Sequence, residues 1–127
     1  MSRVVLDASA LLALLNMEPG CRVVEETVPG AAISAVNLAE VVSKLSERGM
    51  SEALVRTAVG GLGLDVRGFD EETAYAAGAL RPATRALGLS LGDRACLALG
   101  LSLSAPVLTT DRSWKNLKVG AKIRVIR

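Results

Sequence analysis

Four acidic residues occupy strand-end or helix positions in this chain, namely Asp7, Glu40, Asp93 and Asp111. Three of them come where a buried-looking segment ends. The sequence has no histidine, and its two cysteines fit no zinc-binding spacing. Hard divalent cations prefer oxygen ligands, and carboxylates are the side chains that supply them. The four acids therefore suggest a site for Mg²⁺ or Mn²⁺ and a substrate that contains phosphate.

The chemistry expected of such a cluster follows from charge. Carboxylates brought close together repel each other, and a divalent cation relieves that repulsion. The ion also lowers the pKa of a bound water and stabilises charge on phosphoryl oxygens, so no protein base is required. Because histidine is missing, the sequence excludes imidazole activation of an RNA 2′-hydroxyl and excludes histidine-based zinc sites.

Strand and helix signals alternate along the chain. Five short segments predict strands, at 3–6, 31–33, 64–66, 107–109 and 122–126. Helices are expected at 8–15, 21–27, between Ser34 and Gly49, and at 52–59, 71–80 and 91–103, the last being apolar on nearly all sides. At 127 residues the chain is long enough for one domain, 1–127, and too short for two.

This alternation predicts a three-layer α/β/α fold with a central parallel sheet of about five strands. In such sheets ligands bind beyond the carboxyl ends of the strands. Asp7 and Asp111 follow the first and fourth predicted strands, so both are expected at that edge.

Each acid also has an ordinary structural interpretation. Asp7 has the residue type preferred at a helix N-cap. Ser90 and Asp93 match a relaxed capping box, and Asp111 suits a turn. Local patterns alone leave these interpretations open beside the catalytic one.

For Glu40 the local pattern points away from a site. With Asn37 and Lys44 it falls on the polar face of the predicted helix, and Glu40 and Lys44 form a favourable i, i+4 pair. Periodicity alone therefore predicts a solvent-facing Glu40.

Composition indicates a soluble protein of a reduced cytoplasm. Half of the residues are hydrophobic and only 2% are aromatic, so Ala, Val and Leu must build the core. Cys21 and Cys96 are interpreted as buried small residues. The N-terminus lacks the pattern of a signal peptide, and the longest apolar run, 95–108, is interrupted and shorter than the roughly 20 residues that a membrane helix needs. We therefore expect no membrane association.

Four segments together resemble a known family. They are VVLDASALLALL, SAVNLAEVVSKL, GLSLGDRACLALG and PVLTTDRSW. In this order and at this spacing they resemble the PIN-domain nucleases, and most closely the small single-domain toxins of VapC type. The resemblance covers the whole chain.

The resemblance implies a metal-dependent endoribonuclease that uses Mg²⁺ or Mn²⁺. Its acidic cluster maps onto Asp7, Glu40, Asp93 and Asp111. Ser9 and Thr109 are implied to support the site by hydrogen bonding.

The resemblance also implies partners. Members of the family usually act as the toxin of a toxin–antitoxin pair, form homodimers and are inhibited by a small cognate antitoxin. One departure concerns Ser113, since many relatives carry an acid or Asn there, and this leaves the number of metal ions open. A catalytically degenerate PIN domain that binds RNA or protein is the alternative.

Contacts with RNA are expected mainly from the basic end of the chain. After Asp111 there are six basic residues and no acid, although a solvated surface would look the same. The candidates are Arg94, Arg112, Lys115, Lys118 and Lys122 for phosphate, and Trp114 for stacking on a base.

Overall fold

A computed structural model describes residues 3–127 and contains a five-stranded sheet. The strands are β1 (Val5–Leu6), β2 (Ala32–Ser34), β3 (Asp65–Arg67), β4 (Val107–Thr109) and β5 (Ile123–Val125). Their order across the sheet is β3-β2-β1-β4-β5, and every neighbouring pair is parallel. Because parallel strands need crossover connections, helices link them and cover both faces. The predicted fold class is confirmed.

Helices fill the connections between the strands. They are α1 (Ala8–Leu15), α2 (Cys21–Glu25), α3 (Ala35–Glu47), α4 (Glu52–Gly60), α5 (Glu71–Ala79), α6 (Arg81–Thr84) and α7 (Leu91–Leu103). Two 3₁₀ turns lie at Arg85–Leu87 and Arg112–Asn116. The elements α1, α7 and β4 have the predicted bounds, and the other predicted strands and helices differ by one or two residues at their ends. The turn Arg112–Asn116 was not predicted, since five residues are too few to show a hydrophobic period.

Alternate strand residues face opposite layers of the fold. Val5, Ala32 and Val107 pack with α7 in one buried cluster. Their neighbours Leu6, Ile33 and Leu108 pack on the other side, against helices that include α1, α2 and α3. The core is thus mainly aliphatic, as composition predicted, and each fully buried Leu contributes about 1.5–3 kcal/mol.

Helix α7 is the central helix of its layer. Its residues from Ala95 to Gly100 are all buried, as expected of a helix that is apolar on nearly all sides. A Cβ atom on Gly100 would lie 2.5 Å from Cγ2 of Val107, so glycine permits α7 to approach β4 closely.

Both cysteines are free thiols. Cys96 is fully buried, as predicted, whereas Cys21 is only partly buried because it opens the short surface helix α2. No helix within residues 3–127 is long and apolar enough to span a membrane.

Candidate active site

Three of the four acids lie at the starts of helices or turns, and the fourth lies inside a helix. In a parallel α/β sheet, the helix that follows a strand begins at the carboxyl edge. Asp7 follows β1 directly and is the N-cap of α1, and Asp111 lies two residues after β4 and caps the 3₁₀ turn. Asp93 is in the first turn of α7, and Glu40 lies on α3.

Asp7 is the most enclosed of these acids, with 5% of its surface exposed. Its Oδ1 accepts hydrogen bonds from the backbone N–H of Ala10 at 2.8 Å and from the hydroxyl of Ser9 at 2.7 Å. Its Oδ2 accepts from the hydroxyl of Thr109. Burial raises the pKa of Asp7, these hydrogen bonds oppose the rise, and the negative charge of Asp93 adds to it. Asp7 is therefore a buried carboxylate held by three donors.

Two hydroxyls join the segments after β1 and β4. The hydroxyl oxygen of Thr109 accepts a hydrogen bond from the backbone N–H of Asp111 at 3.1 Å. The hydroxyl oxygen of Ser9 accepts one from the backbone N–H of Thr110 at 3.0 Å. The hydrogen bonds implied for Ser9 and Thr109 are thus present. Asp111 itself is exposed, and its Oδ1 accepts from the N–H and the hydroxyl of Ser113.

Asp93 forms the capping box that the sequence indicated. Its Oδ2 accepts from the backbone N–H of Ser90 at 2.9 Å, while the hydroxyl of Ser90 accepts from the N–H of Asp93 at 3.1 Å. Its negative charge also raises the pKa of Asp7, so the two carboxylates are close enough to repel each other. The structural and catalytic interpretations of Asp93 therefore do not exclude each other.

Glu40 does not behave as the local pattern predicted. Asn37, assigned to the polar face, is 1% exposed, and its Nδ2 donates to Oε1 of Glu40 and to the carbonyl of Gly92, both at 2.9 Å. The carboxylate of Glu40 lies directly against Gly92, the residue before Asp93. The expectation of a solvent-facing Glu40 paired with Lys44 is wrong, because α3 packs this part of its surface on the start of α7.

Three of the four acids lie near enough to the buried thiol of Cys96 for their charges to act on it. Burial raises the pKa of Cys96 well above its ordinary value, and the charges of Asp7, Asp93 and Glu40 raise it further. Asp111 is connected to this group through Thr109 and Asp7. The structure thus assembles residues from α1, α3, α7 and the segment after β4.

The donor chemistry of this cluster fits a hard divalent cation. All four side chains offer carboxylate oxygens, and Oδ1 of Asp93, Oε2 of Glu40 and Oδ2 of Asp111 accept no hydrogen bond within residues 3–127. In the same part of the chain, no group of three or more His, Cys, Asp or Glu side chains is arranged closely enough to hold an ion. Binding would therefore require these side chains to move together, with the positive charge offsetting their repulsion.

Three of the predicted phosphate contacts lie on the exposed segment after β4. Arg112 and Lys115 are exposed on the 3₁₀ turn, and Lys118 is exposed beyond it. The Nε of Arg112 donates to the carbonyl of Arg127 at 3.0 Å. Lys122 precedes β5, and its carbonyl bonds to the N–H of Val107 at the start of β4. It therefore lies at the amino edge, at the opposite end of the strands from the carboxylates, so Lys122 is not expected to contact RNA that is bound at those carboxylates.

Two further RNA contacts need correction. Trp114 is 1% exposed and packs in the α7 core cluster, so its ring cannot stack on a base and that prediction is wrong. Arg94 donates from Nη1 to the carbonyl of Ala77 on α5 at 3.1 Å, and its Nε is buried. Its guanidinium is thus engaged between two helices, not presented to phosphate.

The sequence matches the family model described as PIN domain over residues 4–120. The chain belongs to the PIN domain family. PIN domains are nucleases. No curated protein matched the sequence.

Solved structures of other proteins share this PIN fold. A chain of a toxin–antitoxin complex from Klebsiella pneumoniae has a TM-score of 0.78 at 19% identity, with 98% of each chain covered. A chain of DNA-bound VapBC from Salmonella typhimurium has a TM-score of 0.75 at 19% identity, with both chains fully covered. VapBC2 from Rickettsia felis, bound to a promoter DNA fragment, has a TM-score of 0.73 at 15% identity, covering 98% of this chain and 99% of the other.

Proposed function

We propose that this PIN domain is a metal-dependent endoribonuclease of VapC type, the toxin of a type II toxin–antitoxin pair. The observation that supports this most strongly is the set of hydrogen bonds that joins the four acidic segments: Thr109 links Asp7 to Asp111, and Asn37 links Glu40 to Gly92, the residue before Asp93. Membership of a nuclease family supplies the reaction class, hydrolysis of phosphodiester bonds.

Asp7, Glu40, Asp93 and Asp111 would hold Mg²⁺ or Mn²⁺. When bound, such an ion supplies the positive charge that activates water and offsets charge developing on phosphoryl oxygens. Ser9 and the N–H of Ala10 hold one oxygen of Asp7 in place, and the hydroxyl of Thr109 holds the other.

The proposed partners are RNA, a cognate antitoxin and a second copy of the chain. Support for the antitoxin comes from fold neighbours that were solved as VapBC or toxin–antitoxin complexes. A toxin of this kind acts on cytoplasmic RNA, and the exposed Arg112, Lys115 and Lys118 suit its phosphates.

The function is tested with purified protein that has been freed of any partner. It should cleave a structured RNA with Mg²⁺ or Mn²⁺ and stop when EDTA is added. Unchanged cleavage in EDTA would exclude the metal mechanism. Expression of the chain alone should arrest growth, and co-expression of the small protein encoded beside it should relieve the arrest.

A degenerate PIN domain that binds RNA or protein without cleaving is the second candidate. The observation in its favour is Ser113, which stands where many relatives carry a further acid or Asn. Its N–H and hydroxyl both bond Oδ1 of Asp111 and so tie up one carboxylate oxygen. RNA binding without cleavage in either metal would support this candidate.

A further inference from the structure

We infer that Asn37 and Gly92 act together as positioning residues for Glu40, a role that rests on the proposed nuclease function. The carboxylate of Glu40 belongs to the acidic cluster only because these two residues hold it against the start of α7. Neither residue is acidic, and neither is expected to touch the substrate.

The orientation of the Asn37 amide follows from its neighbours. Both groups beside Nδ2, the carboxylate of Glu40 and the carbonyl of Gly92, can only accept hydrogen bonds, so the nitrogen must point at them. One side chain thereby connects α3 to α7, across 55 residues of sequence.

Stability alone does not explain an asparagine at this position. Its Oδ1 is buried and accepts no hydrogen bond within residues 3–127, which disfavours the folded state. An apolar side chain of similar volume would avoid that cost. What Asn37 provides instead is a donor directed at Glu40.

Gly92 provides the space for the carboxylate. A Cβ atom at this position would lie 2.5 Å from Oε2 of Glu40 and 2.6 Å from both Cδ and Oε1. Glu40 is a flexible side chain, so a methyl group on Gly92 would displace the carboxylate and leave the fold intact. Any residue with a side chain at 92 is therefore incompatible with the observed position of Glu40.

The sharpest test is Gly92→Ala, with Gly78→Ala as the matched control. Gly78 also lies inside a helix, α5, but a Cβ atom there meets nothing within 4 Å. Gly92→Ala should keep the melting temperature of the wild type and weaken Mn²⁺ binding to the metal-free protein, measured by calorimetry, by roughly ten-fold or more. Cleavage should fall in parallel. Gly78→Ala should match the wild type in Mn²⁺ binding and cleavage, with a melting temperature equal to or above that of the wild type because alanine favours a helix.

A double-variant comparison shows whether the two residues act through Glu40. Asn37→Leu should lower kcat and Mn²⁺ affinity at a melting temperature close to that of the wild type, because loss of the two donated hydrogen bonds is offset by removal of the unpaired Oδ1. Combining either Asn37→Leu or Gly92→Ala with Glu40→Gln should cost no more activity than Glu40→Gln alone. Losses that multiply would overturn the inference.

The remaining outcomes separate this inference from the proposed function. If the wild type cleaves RNA and binds Mn²⁺ but Gly92→Ala and Asn37→Leu do the same equally well, only the positioning role is wrong. If the wild type does neither, the proposed function fails and the inference fails with it.

Discussion

The hydroxyl of Thr109 donates a hydrogen bond to Oδ2 of Asp7 and so joins the end of β4 to the residue that follows β1. The two residues are 102 positions apart in sequence. Because the same hydroxyl accepts from the backbone N–H of Asp111, it fixes the separation of two of the four acids.

Three of the proposed metal-binding aspartates also serve as helix caps in this fold. Asp7 caps α1, Asp93 completes a capping box on α7, and Asp111 caps a 3₁₀ turn. Helices that begin at the carboxyl edge of a parallel sheet need acceptors there, and this is also where ligands bind. The structural interpretation of these three aspartates is thus correct and leaves the proposed catalytic one open.

Thr109→Val should separate the two acids without changing side-chain shape. It removes the donor to Asp7 and the acceptor for Asp111, so cleavage should fall by roughly ten-fold or more, and stability by about 1–3 kcal/mol because buried polar groups lose partners. Thr57→Val is the control, since the hydroxyl of Thr57 bonds only within α4 at an exposed position. Wild-type cleavage by Thr109→Val would show that this hydroxyl is dispensable.

Asp7 should make the metal-free protein less stable as pH rises. Because the folded state raises the pKa of Asp7, chiefly by burial, the folded chain holds the proton that the unfolded chain has lost. The free energy of unfolding therefore falls as pH rises from the unfolded pKa through the folded one, and the loss persists at neutral pH. Denaturant unfolding in EDTA should show Asp7→Asn to be more stable than the wild type at pH 7 but inactive. If the difference in unfolding free energy between the wild type and Asp7→Asn did not change with pH, this prediction would be contradicted.

Ser90→Ala and Asp93→Asn should have opposite effects on folding and activity. Removing the Ser90 cap should cost about 0.5–2 kcal/mol of stability, yet the carboxylate remains and the folded protein should still cleave RNA. Asn at position 93 can still accept from the N–H of Ser90, so Asp93→Asn should stay folded and lose cleavage. If both variants lost activity equally while folded, capping alone would explain Asp93.

Lys115 and Lys118 should contribute to the salt dependence of RNA binding, and Lys122 should not. Each phosphate contact with a single strand adds about −0.7 to the slope of log affinity against log salt concentration. Changing both Lys115 and Lys118 to Gln should flatten the slope by roughly 1.4. Lys122→Gln is the control because Lys122 lies at the amino edge. If Lys122→Gln flattened the slope as much per residue, the basic segment would be interpreted as an ordinary solvated surface.

The two thiols should differ in reactivity. Cys96 is fully buried and its pKa is raised by burial and by three nearby acids, whereas Cys21 is partly exposed. A thiol reagent at neutral pH should therefore modify one cysteine in the folded chain and both after denaturation. In Cys21→Ser the folded chain should show no fast reaction, and a fast reaction there would contradict the buried position of Cys96.

The sequence by itself determined most of the elements, and its resemblance to PIN domains assigned all four acids to the candidate site. Hydrophobic periods and caps are local, so α1, α7 and β4 could be bounded from the chain alone, and strand–helix alternation placed Asp7 and Asp111 at the carboxyl edge. The capping box of Asp93 is also a local pattern, but its assignment to the site came from the resemblance to PIN domains.

Only the tertiary structure decided what faces the site. Asn37 and Glu40 are polar residues that local periodicity assigns to solvent, and the packing of α3 on α7 buries one and directs the other to Gly92. The same holds for Trp114, which lies in an otherwise exposed basic segment but packs in the core. It also holds for Lys122, which lies at the amino edge of the sheet because it precedes β5. These outcomes depend on contacts between segments distant in sequence, and no local pattern records which segments will meet.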